Sequence, residues 1–362
     1  MEANRFTSRL KAFMNKVKSL GVELAVISTP VNIRYLTGIR IETFERLGVL
    51  IVCARNEELT LVIPKLDEGK VKGTGLRYLT YTDLEGPRDT VWRVVSGCGK
   101  VNVVGFESNA QLKYYWLLRG ILGGFRDLAI DDVLTSLRIV KDEEEVSNIK
   151  AAVKAIEKGL RAAEDSLKAG VTEVKLAEVI RSAIADAGAE PMDILVQSGP
   201  NSAIPHWLPG SRRISDNDVV VVDLTATYND YYGDLTRTFT VGNVDGEFAR
   251  IYNLVKRAHD EAIAAVKEGV TGSYIDSVAR SVIREGGYGD YFIHRTGHGI
   301  GLEVHEEPYI SSDYTKALPR GSVFTIEPGI YLQGKFGVRL ESNILINSNG
   351  MVEVLDSYWP VV

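Results

Sequence analysis

Residues 168–188, KAGVTEVKLAEVIRSAIADAG, return 99 positions later as residues 267–287, KEGVTGSYIDSVARSVIREGG. Leu176, Val179, Ala183 and Ile184 fall on Ile275, Val278, Val282 and Ile283, so one amphipathic helical face is written twice. The same offset carries His206 onto His305. Each half then enters an apolar, strand-like segment that ends in a carboxylate, Asp223 in VVVVD and Glu327 in VFTIE. A helix, a histidine and a strand-end acid recurring in one order mark two α/β halves related by pseudo-symmetry, with a site where they meet.

Working outward, Asp142 and Glu145 have capping-box spacing, with Asp in place of the usual Ser or Thr, at the head of a long helix. Val146, Ile149, Val153, Ile156, Leu160, Ala163 and Leu167 step by three and four along it, and Gly170 ends it. Further upstream, Leu10, Phe13, Met14, Val17 and Leu20 keep helical spacing before a short strand at residues 23–28. Residues 47–53 and 59–63 flank the polar ARNEE as a hairpin, and a strand at 101–106 precedes a helix beginning near Asn109. The expected organisation is an α/β domain over residues 1–130, a linker over 131–141 and a second domain over 142–362, an α+β chain as a whole.

The chain has 362 residues, 45% hydrophobic and 25% charged, with 42 basic and 48 acidic residues for a net charge of -6. Such a composition excludes disordered and fibrous classes and suggests about two domains. No basic stripe offers a footprint for nucleic acid or an anionic membrane. The longest aliphatic runs, residues 49–52 and 219–222, are strand-sized, and the N-terminus interleaves basic with polar residues and lacks the apolar core of a secretory signal. Cys53 and Cys98 are too few and too far apart for a disulfide framework or a thiolate metal site, which makes the cytoplasm the expected compartment.

Four of the five histidines, His206, His294, His298 and His305, lie near the acid-bearing strands, whereas His259 falls in KRAHDEA, which reads as an exposed helix. In DLTATYNDYYGDLTRTF a strand enters, turns around Asn229 and Asp230, and returns, bringing Asp223 and Asp234 nearly opposite each other. Glu341 sits in GVRLESNILI, where period-two alternation puts it on one face with Arg339. Asp223, Asp234, Glu327 and Glu341 would bring four negative charges into one pocket, against the single cation Arg339 on the same strand face. Buried carboxylates are costly unless paired or metal-bound, and two divalent metals would balance these. With His298 as the one imidazole, the donor set is oxygen-rich and suits manganese, cobalt, iron or zinc more than copper.

These residues resemble the pita-bread-fold metallopeptidases of the prolidase and Xaa-Pro aminopeptidase branch. HRTGHGIGLEVHE, residues 294–306, meets that branch's signature at each defined position. DLTATYNDYYGDLTRTF precedes it, TIEPGIY and GVRLESNI follow in family order, and NIRYLTG near the start resembles the family's N-terminal domain. Thr225 and Asp230 stand where relatives usually have glycine, and Ser342 where an aspartate often follows the glutamate; none of the three is a ligand position.

The resemblance implies a creatinase/prolidase-like N-terminal domain and a pita-bread catalytic domain. It implies two divalent ions per subunit, manganese or cobalt first and zinc or iron next, held by Asp223, Asp234, His298, Glu327 and Glu341, with Asp234 and Glu341 shared. It also implies Glu327, His206 and His305 as catalytic residues, and His206, His294, His305 and Arg339 on the substrate side. Arg339 would stand behind the ligands. The implied substrate is a proline-containing di- or oligopeptide, and the implied assembly a homodimer. Non-catalytic pita-bread domains normally lose ligands and creatinase-like relatives lack the full metal set. Methionine aminopeptidases usually lack both this N-terminal domain and this HRTGHGIGLEVHE form, so the Xaa-Pro bond is the expected target. Between dipeptidase and aminopeptidase the residues pull both ways. The HRTGHGIGLEVHEEP form resembles prolidases, some of which hold the proline carboxylate with an arginine just after the VHE motif, where this chain has Tyr309; Arg295, Lys316 or the histidines could replace it.

Overall fold

The computed structural model describes residues 2–243 and 245–359. The chain divides into two compact units, Met1–Arg138 and Ile139–Val362. In the first, α1 (Glu2–Ser19) leads to β1 (Leu24–Ile27) and α2 (Pro30–Thr37), and β2 (Val49–Cys53) and β3 (Glu58–Pro64) form the expected antiparallel hairpin. β4 (Tyr78–Tyr81), α3 (Arg88–Gly97), β5 (Val103–Phe106), α4 (Leu112–Leu122), β6 (Arg126–Ala129) and α5 (Asp131–Arg138) follow. The strands make one six-stranded mixed sheet in the order β4-β3-β2-β1-β5-β6.

Two expectations change here. Residues 131–138, read as linker, are the helix α5, whose Val133 and Leu134 are buried, and the second unit begins directly at Ile139. Cys53 and Cys98 are joined as a disulfide with Cα atoms 5.5 Å apart. Cys53 ends β2 and Cys98 follows α3, a helix that packs on β2 and β3, so folding closes a gap of 45 positions that sequence distance alone had left open.

The second unit opens with α6 (Glu143–Ser166), capped as expected: Asp142 accepts from the Glu145 N–H while the Glu145 carboxylate accepts from the Asp142 N–H. Then come α7 (Glu173–Asp186), β7 (Glu190–Ser198), β8 (Val219–Tyr228), β9 (Tyr231–Thr240), α8 (Gly246–Ala264) and α9 (Gly272–Glu285). The last part holds β10 (Gly297–Gly299), β11 (Glu306–Ile310), β12 (Val323–Ile326), β13 (Gly329–Leu332), β14 (Phe336–Arg339), β15 (Ser342–Ile346) and β16 (Val352–Val354). β7, β8 and β9 form one sheet, β11-β10-β12-β15-β16 a second, and β13 with β14 a two-stranded ribbon.

The repeat is visible in the hydrogen bonds. Thr172 and Thr271, 99 positions apart, each cap their helix through the side-chain oxygen, and each makes an isolated antiparallel bridge, to Arg213 and to Ala317. Gly170 and Gly269 donate to Ile214 O and Leu318 O, the residues that next pair with Val171 and Val270. Each half thus ties its helix entry to the segment leading into its acid-bearing strand.

His259, expected on an exposed helix face, is 1% exposed. Its Nδ1 lies 3.1 Å from Asp260, its Nε2 3.1 Å from Ser342 Oγ, and its ring packs edge-on against Trp359. The C-terminal segment covers a helix face that local sequence reads as solvent-facing. Burial lowers the His259 pKa, with Asp260 acting in the opposite direction. The folded protein therefore takes up this proton less readily than the unfolded chain, which does so near pH 6.5. Stability should be full above about pH 6.5 and fall as the pH drops below it, by up to about 1.4 kcal/mol per pH unit from this group. Denaturant midpoints at pH 7.5, 6.5 and 5.5 should show the fall, and His259→Gln should flatten it.

Candidate metal centre

The two-residue turn between β8 and β9 uses Asn229 and Asp230 at positive φ, 49° and 70°, which lets the hairpin close without glycine. In its register Asp223 faces Thr236 and Asp234 faces Thr225, so the two acids are diagonal neighbours on one face. Glu341 reaches them from a break in the chain. The strand read as continuous through GVRLESNILI stops after Arg339, with β14 pairing to β13 and β15 to β12. At the break the Glu341 N–H donates to Thr236 O at 3.2 Å, and Thr236 Oγ1 donates to Glu341 Oε2 at 2.7 Å.

His298 arrives on the short strand β10. A Cβ at Gly297 would stand 1.9 Å from Thr325 O, so only glycine lets this backbone approach β12. His298 Nδ1 lies 3.1 Å from Gly299 O, an acceptor, which places the ring proton on Nδ1 and leaves Nε2 as a ligand. That Nε2 stands 3.3 Å from Glu327 Oε1 and 3.7 Å from Asp234 Oδ2.

One cavity of about 450 Å³ is lined by all nine residues singled out from the sequence: His206, Asp223, Asp234, His294, His298, His305, Glu327, Arg339 and Glu341. Ligand atoms of Asp234, His298 and Glu341 lie within 4.8 Å of one another. Asp234 Oδ1 and Glu341 Oε1 are buried without a hydrogen-bond partner. Burial, and then the neighbouring carboxylates, push the pKa values of Asp234 and Glu341 well above the usual range. Buried oxygens that accept nothing, amid charge that only a cation would relieve, fit a divalent metal and nothing else in the vicinity. For Glu327, burial favours the neutral acid, but in the metal-free protein a protonated His298, which carries a second N–H on Nε2, outweighs it by hydrogen bond and charge and holds the carboxyl at about 2.

The remaining residues divide. His206 and His305 are exposed to the cavity and their rings make no hydrogen bond among the described residues. His305 stands edge-on to His298 with ring centroids 4.2 Å apart, and burial followed by the His298 and Arg295 charges lowers its pKa to about 4. His294 differs. Its Nδ1 donates to Arg295 O at 2.7 Å, so its Nε2 accepts from the Tyr331 hydroxyl at 2.8 Å, and no ring N–H is left for a ligand. Arg339, also expected on the substrate side, is 3% exposed and donates to Asp223 at 2.6 Å, to Tyr331 at 2.8 Å and to Thr236 Oγ1 at 3.1 Å. Both residues line the cavity with their polar atoms engaged by protein partners. Sequence reading passed over Tyr331, which joins them into one chain from Asp223 to His294; its place four residues after Glu327 was the available signal.

Comparison with known proteins gives the family. Residues 147–348 match the model of metallopeptidase family M24, and residues 9–140 that of the creatinase/prolidase N-terminal domain. The chain belongs to metallopeptidase family M24, with a pita-bread catalytic domain, and it is an enzyme of that class. It is 36% identical over 360 residues to the probable dipeptidase PepE of Mycobacterium tuberculosis, covering 98% of this chain and 95% of that protein. Among solved structures it resembles the prolidase of Thermococcus sibiricus, with a TM-score of 0.91 and 35% identity over 97% of both chains. It also resembles a dipeptidase of Pyrococcus horikoshii, with a TM-score of 0.90 and 36% identity over 96% of this chain and 98% of that one.

Charge relief by a metal has a measurable signature. In chelator-treated protein, Glu341→Gln should raise stability by about 1 to 3 kcal/mol, because one buried like charge is removed. The parent should gain melting temperature on adding manganese or cobalt, and the variant should lose most of that gain. A metal-free variant less stable than its metal-free parent would show that repulsion between these carboxylates is absent.

Proposed function

We propose that this protein hydrolyses the peptide bond between a residue Xaa and proline, and that Xaa-Pro dipeptides are its preferred substrates. The observation that carries the reading is the shared cavity: a carboxylate cluster with unpartnered buried oxygens faces two histidines whose ring nitrogens make no hydrogen bond among the described residues. Asp223, Asp234, His298, Glu327 and Glu341 would hold two divalent ions per subunit, manganese or cobalt first. When bound, such ions supply Lewis acidity toward a carbonyl and lower the pKa of water.

The chain's own residues do the rest. Glu327 takes a proton from the attacking water and delivers it to the proline nitrogen, which would otherwise be a poor leaving group. His206 and His305 donate to the carbonyl oxygen as it gains charge. A bond to proline offers no N–H, so recognition falls on the carbonyl, the ring and the two termini.

For the dipeptide, the decisive group is Arg295. It lines the cavity, is in no ion pair among the described residues, and rests its guanidinium 4.3 Å from the ring centroid of Tyr309. Lys316 instead pairs with Glu307 at 3.3 Å and lies outside the cavity lining. A half-buried guanidinium held flat by an aromatic ring suits a free carboxylate. The aminopeptidase reading is favoured by Tyr309 itself, which stands where some prolidases have arginine. The assembly we propose is a homodimer and the compartment the cytoplasm. No helix among the described residues is long and apolar enough to cross a membrane, whereas the Cys53–Cys98 disulfide removes the cysteine argument for a reducing compartment.

Asp234→Ala or Glu341→Ala should abolish turnover, since each would remove a carboxylate from the set that would hold the ions. His206→Ala or His305→Ala should lower kcat by on the order of 10² with metal content unchanged. A metal-free His305→Ala protein would move His305 into the ligand set. Comparing kcat/KM for Met-Pro and Met-Pro-Ala tests the dipeptide preference, and Arg295→Gln should raise KM for Met-Pro selectively. Efficient cleavage of the tripeptide with Met-Pro untouched would make the protein an Xaa-Pro aminopeptidase.

A further inference from the structure

The imidazole of His206 makes no hydrogen bond among the described residues, and residues 204–208 belong to no helix or strand. Its aim is therefore set by its backbone, and two side chains of 0% exposure hold that backbone from behind the cavity wall. Gln197, in β7, donates from Nε2 to Pro205 O at 2.8 Å and to Trp207 O at 3.3 Å, the carbonyls on either side of His206. Glu173, the first residue of α7, grips the same segment further out. Its Oε1 accepts from Ser198 N at 2.9 Å, Ser198 Oγ at 2.7 Å and Asn201 Nδ2 at 2.9 Å, and its Oε2 from Gly210 N at 3.2 Å.

A carboxylate buried this completely has no cation within ion-pair distance among the described residues, and its charge is met by four donors, all from residues 198–210. The other half has a comparable contact at positions the offset does not relate, since Glu173 falls on Gly272 and Asp276 on Ala177. Asp276, on α9, accepts from Thr296 N at 3.2 Å, from Thr296 Oγ1 at 2.8 Å and from Arg280. Arg280 in turn donates to Phe292 O at 3.1 Å and His294 O at 2.9 Å. Each of the two repeated helices thus places a buried acid behind its half's histidine-bearing segment.

We infer that Gln197 and Glu173 are positioning residues for His206, fixing the angle at which its ring meets the substrate carbonyl. The inference rests on the reading of His206 as a substrate donor. It ties catalytic geometry to the sheet that carries Asp223 and Asp234, because Gln197 in β7 pairs with Val221 in β8, two residues before Asp223.

Gln197→Met is the sharpest probe, since Gln197 Oε1 has no partner and the change removes only the two bonds that bracket His206. kcat, KM and metal content are measured on manganese-loaded enzyme with Met-Pro for the parent, Gln197→Met, His206→Ala and the double variant. Gln197→Met should lower kcat by about tenfold to a hundredfold with KM and metal content unchanged. The double variant should be no slower than His206→Ala alone, because a residue that acts through His206 has nothing to act on without it. Equal losses in both backgrounds, or an unchanged kcat in the parent background, would overturn the inference. A fully active His206→Ala enzyme would instead overturn the role of His206 beneath it. If Gln197→Met does not fold, Glu173→Gln takes its place: the amide keeps the Ser198 and Asn201 donors and turns an NH2 toward the Gly210 N–H, and the same pattern is expected.

Discussion

Asp234 and Glu341 are both buried, within 4.8 Å of each other, and each leaves one oxygen without a partner. Two such charges repel by about 3 kcal/mol even at an effective dielectric constant near 20. Much of the second unit can be read as the structure needed to hold them there. Arg339 is sealed behind Asp223 and Tyr331, Thr236 donates to Glu341, and His298 is turned so that Nε2 faces the acids. Fully buried Arg237 donates to Glu341 O and pairs with Asp356, which also takes the Ser342 hydroxyl. The C-terminal segment through Trp359 lies over that arginine. The strain of the cluster is thereby spread over many hydrogen bonds, and a divalent ion would relieve what remains.

Pseudo-symmetry explains how a chain assembles such a cluster from distant positions. Each half contributes a capped helix, a histidine-bearing segment tied to a buried acid on that helix, and a carboxylate at or just past a strand. The halves are not copies in detail. The first supplies two acids from one hairpin, whereas the second supplies one acid after β12 and another from the break between β14 and β15. One cavity brings the carboxylates and the His298 imidazole together with His206, His305 and Arg295.

Local patterning was enough for the elements and for the identity of the residues that meet. The repeat at an offset of 99, the Asp142 capping box and the strand-end acids are short-range signals, and family motifs in order added the likeness to prolidases. Family membership and the two-part fold followed from them. What sequence left open was set by contacts between segments far apart in the chain. His259 reads as exposed because only the C-terminal segment and Ser342 cover it. The Cys53–Cys98 pairing depends on α3 packing against the hairpin. The break that lets Glu341 turn into the cavity comes from β14 and β15 choosing different partners. The link between His294 and Arg339 comes from Tyr331, and the hold on the backbone around His206 from Gln197 and Glu173. Spacing along a chain records which face a residue shares with its neighbours; which proton donors meet a given oxygen is decided only when the segments close on one another.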